Sequence, residues 1–154
     1  MDPYEEKLKH FLKENNIDAE HLSFEVSCHS VREAALAVKD KEDAFVKNIC
    51  LITEEGELIV AIVKGEDRVS KDNVEENIKQ KMRIATPDEI LKKTGYPCGG
   101  TPSFGYKAIF LIDERVMGKK VVYSGGGSEK ALVKISPKEL MRVNKGEIVK
   151  IRKI

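Results

Sequence analysis

The chain has 154 residues, 41% of them hydrophobic, enough to bury a core without disulfides or metals, so one domain spanning 1–154 is expected. Its 27 Lys plus Arg against 26 Asp plus Glu leave a net charge of +1, which argues against a broadly basic nucleic-acid binder and places any RNA attraction in a local patch. An apolar run of about 18 residues and a charged-then-apolar leader are both missing from the sequence, so neither a membrane partner nor secretion is supported and a cytoplasmic location is expected.

In chain order, Asp2-Pro3 pairs an N-cap with a first-turn proline, and Tyr4, Leu8, Phe11 and Leu12 fall on one helical face, which predicts a helix to about Asn15. Leu22, Phe24 and Val26 alternate as a short strand. Ser30-Val31-Arg32-Glu33 is a capping box opening a helix to about Lys41. Residues 44–52 and 58–63 read as strands around the Glu55-Gly56 turn, hence an antiparallel hairpin. A helix follows over 70–81, then a short strand near Ile84. Thr86-Pro87-Asp88-Glu89 opens a helix that stops at Gly95. Ala108–Ile112, Lys120–Tyr123 and Ala131–Ile135 are predicted strands, with a polar turn between the first two. Ser136-Pro137-Lys138-Glu139 starts a last helix, and Glu147–Ile151 alternates as a final strand. Short strands broken by short helices imply an α+β fold with a mixed, mostly antiparallel, barrel-like sheet.

Thr94 to Gly105 interrupts this pattern. Four glycines and two prolines in twelve residues are incompatible with a helix or a central strand and describe a shaped loop. Gly99, Gly100 and Gly105 leave no Cβ in the way of a ligand, so backbone N–H groups can approach an oxygen, although a tight structural connection reads the same way. Lys47 stands within an apolar strand, either as a fixed charge at the end of an apolar strip or as a solvated lysine guarding a sheet edge. Ser124-Gly125-Gly126-Gly127 is a second glycine-rich connection, where the serine either meets a ligand or stabilises a turn. Cys28, Cys50 and Cys98 are odd in number and share no metal-ligand spacing, and His10, His21 and His29 are scattered, so neither a disulfide framework nor a zinc site is called for.

The strand lysine, the Thr-Gly-Tyr loop with Gly-Gly ahead of proline and a closing glycine, the Ser-Gly-Gly-Gly turn and Pro137-Lys138-Glu139-Leu140 resemble, in order and spacing, the YbaK/ProX family. That family comprises aminoacyl-tRNA deacylases and the related editing domain of some prolyl-tRNA synthetases. The resemblance runs from about His29 to Leu140. It departs at three points: Pro102 comes one position early, the Ser124 loop lacks a following Arg-Gly, and Leu132 replaces an acidic residue of the cysteine-specific branch, which weighs against cysteine as cargo.

The resemblance implies the family's fold and a substrate-assisted hydrolysis of mischarged aminoacyl-tRNA with no metal or cofactor, probing a small amino acid. It places Lys47, Gly99 and Gly100 at the chemistry and Thr101, Pro102, Phe104, Gly105, Ser124, Gly125 and Gly126 around the substrate. Expected partners are the tRNA acceptor end and an aminoacyl-tRNA synthetase such as prolyl-tRNA synthetase, with no DNA. Two basic clusters, Lys79, Lys81, Arg83, Lys92 and Lys93, and Lys145, Lys150, Arg152 and Lys153, either grip phosphates or are solvated faces. Tyr96 or Phe104 either stack on a base or pack the core. A non-catalytic module of the same fold that binds tRNA or a synthetase, and a hydrolase of small esters, are the alternative readings.

Overall fold

The computed structural model describes residues 2–28 and 30–154; His29, where the resemblance begins, lies outside them. Helix α1 covers Pro3–Glu14, opened by the Asp2 carboxylate accepting from the amides of Tyr4 and Glu5. The remaining helices are α2 (Val31–Val38), α3 (Lys71–Ile78), α4 (Pro87–Thr94) and α5 (Pro137–Asn144). Each starts on a Ser or Thr side chain that accepts an amide hydrogen bond three residues on, as the capping motifs require. Strands are β1 (Ala19–Ser23), β2 (Val46–Thr53), β3 (Leu58–Lys64), β4 (Met82–Ile84), β5 (Ile109–Asp113), β6 (Val122–Gly125), β7 (Ala131–Ile135) and β8 (Glu147–Val149).

The strands form two sheets, ordered β4-β2-β3-β5-β8 and β1-β7-β6. Pairing is mostly antiparallel, but β5 runs parallel to both β3 and β8. Strand β3 is central and buried on both faces, which explains its unbroken apolar run. One of its faces joins Val46, Cys50 and Ile52 of β2, Phe110 and Ile112 of β5, Val133 and Ile135 of β7, and Leu8 and Leu12 of α1 in the main core. Its other face packs Ala61 and Val63 with Leu51, Leu111, Ile151 and, from α3, Val74. Among the described residues the two sheets meet at a parallel bridge, Phe45 with Tyr123.

The expected mixed α/β architecture is present, with local corrections. The first strand lies at Ala19–Ser23 rather than at Leu22–Val26, because its pairing with β7 starts at Ala19 opposite Ile135. Helix α2 ends at Val38, where Lys39 adopts the left-handed conformation and donates its amide to Ala35. The polar turn after β5 is a 3-10 helix, Glu114–Gly118, capped by Asp113. No helix among the described residues is long and apolar enough to cross a membrane.

Candidate functional site

Helix α4 ends where Gly95 takes φ +81°, the conformation that favours glycine, and sends the chain into the 95–105 loop. The loop is braced from within. Gly100 N–H donates to Pro97 O (3.0 Å), Thr101 Oγ1 donates to the same carbonyl (3.0 Å), and Tyr106 Oη donates to Pro102 O (2.6 Å). It is also braced against the second glycine turn, since Gly127 N–H donates to Gly100 O (2.7 Å). The two turns meet so closely that a Cβ on Gly100 would lie 2.5 Å from Ser128 N.

Asn48 of β2 ties these pieces to the sheet. Its Nδ2 donates to Thr101 O (3.0 Å) and to Ser124 Oγ (3.3 Å), and its Oδ1 accepts from Ser103 Oγ (2.7 Å). Ser103 and Ser124, both fully buried, share a further bond of 2.6 Å. Asn144 of α5 donates to Ser103 O (3.0 Å). This buried network converges from a strand, a loop, a second strand and a helix, and satisfied networks of that kind fix geometry as well as add stability. Asn48 and Ser103 belong to the site without standing out in the sequence. The available signal was a polar residue beside Lys47 whose alternation places it on the core-facing side of β2.

Beside the network lies a cavity of about 210 Å³. Lys47, Asn48, Cys98, Gly99, Thr101, Ser124 and Gly125 border it on the polar side, and Val31, Ala34, Phe45, Tyr123 and Leu132 on the apolar side. The Phe45 and Tyr123 rings stack with centroids 4.8 Å apart and stiffen that wall.

Of the ten expected site residues, this cavity gathers Lys47, Gly99, Thr101, Ser124 and Gly125. Lys47 is half-buried and its ammonium donates to Asp67 O (3.0 Å), which anchors the charge in place. The other five expected residues are not among its lining. Gly100 spends its N–H within the turn, and both neighbours of its missing Cβ are backbone, so it is a close-approach glycine and not a free donor. Pro102 is buried. Phe104 is fully buried and stacks on Phe11 of α1 (6.1 Å), and Gly105, at φ +97°, lies against the same Phe11 ring. Gly126 is buried and its carbonyl bonds His21 Nε2 (2.8 Å). Tyr96 is likewise core, with Lys7 Nζ 4.6 Å above its ring, so neither Tyr96 nor Phe104 is placed to stack on a base.

Helix α1 supports both turns from outside. Glu5 accepts from Ser23 Oγ (2.6 Å) and Ser128 Oγ (2.7 Å), and Lys7 donates to Gly95 O (3.3 Å). Burial pushes the Glu5 carboxyl up, but the two serine hydroxyls together with nearby positive charge hold it below the usual carboxylate range.

The two buried thiols are poor nucleophiles. Burial pushes Cys50 up to about 12, and burial aided by Glu33 pushes Cys28 up. Cys98 is exposed at the cavity rim. Among the described residues no group of three His, Cys, Asp or Glu has the arrangement of a metal site. Of the basic clusters, Arg83 is consumed by a bidentate pair with Glu89 (both 2.6 Å), Arg152 by Asp113 and Glu114 (both 3.1 Å), and Lys93 by Gly56 O (2.8 Å).

Comparison with known proteins places this geometry. Residues 25–143 match the family described as the aminoacyl-tRNA editing domain. The uncharacterized protein YwhH of Bacillus subtilis (strain 168) is 24% identical over 119 residues, 76% of each chain. A proline–tRNA ligase of Thermotoga neapolitana is 28% identical over 82 residues, covering 53% of this chain but only 14% of that enzyme. The crystal structure of the hypothetical protein APE2540 superposes with a TM-score of 0.88 at 26% identity, over 96% of this chain and 99% of that one. A crystal structure of a candidate trans-editing enzyme for prolyl tRNA synthetase superposes with a TM-score of 0.93 at 24% identity, over 100% and 99%, a likeness of fold. The match from before α2 to the last turn of α5 takes in every element bordering the cavity, and on that extent the chain belongs to the aminoacyl-tRNA editing domain family.

Proposed function

We propose that this protein is a freestanding, cytoplasmic aminoacyl-tRNA hydrolase that clears mischarged tRNA by cutting the ester between a small amino acid and the terminal ribose. The observation that carries the reading is the shared cavity, where a lysine from β2 and the turns at 99–101 and 124–125 meet in a chain of the editing family. The 210 Å³ space with its wall of Phe45, Tyr123 and Leu132 suits a compact side chain.

In this reading water adds to the acyl carbon, the bond from that carbon to the ribose oxygen breaks, and the ribose oxygen leaves with a proton as the tRNA terminal hydroxyl. An activated ester needs placement and charge stabilisation more than a strong nucleophile. Lys47 supplies the fixed positive charge once its ammonium exchanges Asp67 O for the substrate. The Gly99 amide, which has no acceptor among the described residues, supplies a backbone donor; one such donor is worth roughly 3 to 4 kcal/mol in a transition state. Ser124 is an unsuitable nucleophile because its hydroxyl is buried in the Asn48 network. The tRNA acceptor end is the partner, and a synthetase such as prolyl-tRNA synthetase is the source of mischarged substrate.

One observation favours a second reading, a binding module without turnover: the ammonium of Lys47 is already engaged by Asp67 O. Release of labelled amino acid from a panel of mischarged tRNAs separates the two. Enzyme-dependent release of at least one small amino acid supports the hydrolase; binding without release across the panel supports the module. Release from small free esters with none from charged tRNA redirects the site to another ester class.

A further inference from the structure

An aminoacyl ester has two polar ends, a carbonyl oxygen that gains charge and an α-ammonium. The seam between the two sheets offers main-chain groups for both. Phe45 O accepts from Gly65 N–H (2.6 Å) on the β3 side of its strand, whereas Cys50 O accepts from Ala85 N–H (2.9 Å) on the opposite side. Peptide groups alternate in direction along a strand, so Val46 and Asn48 turn theirs away from β3, as Cys50 does. On that edge β4 covers only Leu51–Thr53, and β6 meets the strand at the bridge between Phe45 and Tyr123. The same alternation holds on β6. Gly126 N–H donates to Ala131 O beside β7, which turns the peptide groups of Tyr123 and Gly125 toward β2.

Continuation of this parallel ladder would pair Gly125 with Val46 and Asn48, yet no such bridge forms and these three residues border the cavity instead. A Cβ on Gly125 would fall on Thr101 O, the same carbonyl that Asn48 Nδ2 holds at 3.0 Å. The loop thus lies over the face of the sheet beside Gly125, and the two strand edges flank the cavity.

We infer that this seam is the subsite for the α-aminoacyl group, which completes the missing ladder step as an added strand segment does. Asn48 N–H donates to the ester carbonyl oxygen, and the carbonyls of Val46 and Gly125 accept from the α-ammonium. Main-chain groups read the feature common to all amino acids, and the Phe45 and Leu132 wall sorts the side chain. The inference rests on the hydrolase reading and adds a requirement for a free, charged α-amino group.

The test uses the full-length protein and one tRNA carrying alanine, lactate or N-acetylalanine through the same ester, with rates corrected for uncatalysed hydrolysis. Loss of one hydrogen bond to a charged group lowers kcat/KM roughly ten- to a hundredfold, so that drop is expected for the lactyl ester, and a larger one for the bulky, uncharged N-acetyl ester. In a parallel 15N titration with 3'-alanylamino-3'-deoxyadenosine, the amide signals of Asn48 and Gly125 should move. Equal kcat/KM for alanyl and lactyl esters overturns the subsite while leaving the hydrolase intact, as does saturation by the analogue with both amides unmoved. Failure to deacylate any charged tRNA overturns the hydrolase reading, and the subsite with it.

Discussion

Replacing Asn48 by alanine tests whether the buried network holds the site together. The change removes two donated bonds, to Thr101 O and Ser124 Oγ, and one accepted bond, from Ser103 Oγ. Three bonds at about 1 kcal/mol each give about 3 kcal/mol of lost stability. Ser103 and Ser124 keep their mutual bond, which caps the penalty for stranded hydroxyls. For a domain of this length, about 3 kcal/mol corresponds to a fall in Tm of roughly 6 to 12 °C. Asn48→Asp is the sharper partner experiment. An ionised carboxylate still accepts from the serines but faces Thr101 O with no hydrogen to offer, so the Asn48→Asp protein should be no more stable than Asn48→Ala despite its matching shape. Urea unfolding of the three proteins gives the free energies, and deacylation by the same samples tells whether the 99–101 turn has shifted. An Asn48→Ala protein within about 0.5 kcal/mol of the parent, the range of an ordinary surface change, would refute the claim that this network organises the site.

Further outcomes follow from the same geometry. Gly100→Ala places a methyl against backbone atoms of Gly127 and Ser128, so Tm should fall along with activity; unchanged thermal unfolding would show that the turns separate freely. Cys98→Ser should keep its turnover, since the proposed chemistry runs through Lys47 and the glycine turns and uses no thiol, and a loss beyond tenfold would return it to the mechanism. Glu139 is held at about 2, first by Arg142 and then by the Asp18 amide, below its ordinary 4.5. Because the folded value is depressed, its stabilisation is complete above about pH 4.5 and drains away as pH falls toward 2. Glu139→Gln should therefore flatten the acid limb of stability against pH, and an unchanged limb would place the acid sensitivity elsewhere.

The capping motifs were the most legible part of the fold. Ser30, Thr86 and Ser136 each open a helix where expected, because a cap is a local contract between a side chain and an amide three residues away. Strand order was less so. Nothing in Ile109–Asp113 announces that it lies parallel to β3 on one side and β8 on the other, since that depends on how distant segments pack. At the site, the glycine loop and Lys47 were visible as breaks in pattern, but chemistry and support were not separable by residue type. Gly99 borders the cavity while Gly100 fills a contact between turns, and Phe104, aromatic and next to the loop, belongs to the core through Phe11. Asn48 escaped notice because its three partners arrive from positions 101, 103 and 124, a convergence that only the folded chain displays.

The most direct test of the proposed chemistry is single-turnover deacylation of tRNA mischarged with a small amino acid, by the parent protein and by Lys47→Ala of matched thermal stability. Release by the parent is expected, with a fall of roughly a hundredfold or more in the variant, the scale of a lost charge-stabilising group. A parent that releases nothing, or a Lys47→Ala protein that releases amino acid at the parental rate, would contradict it.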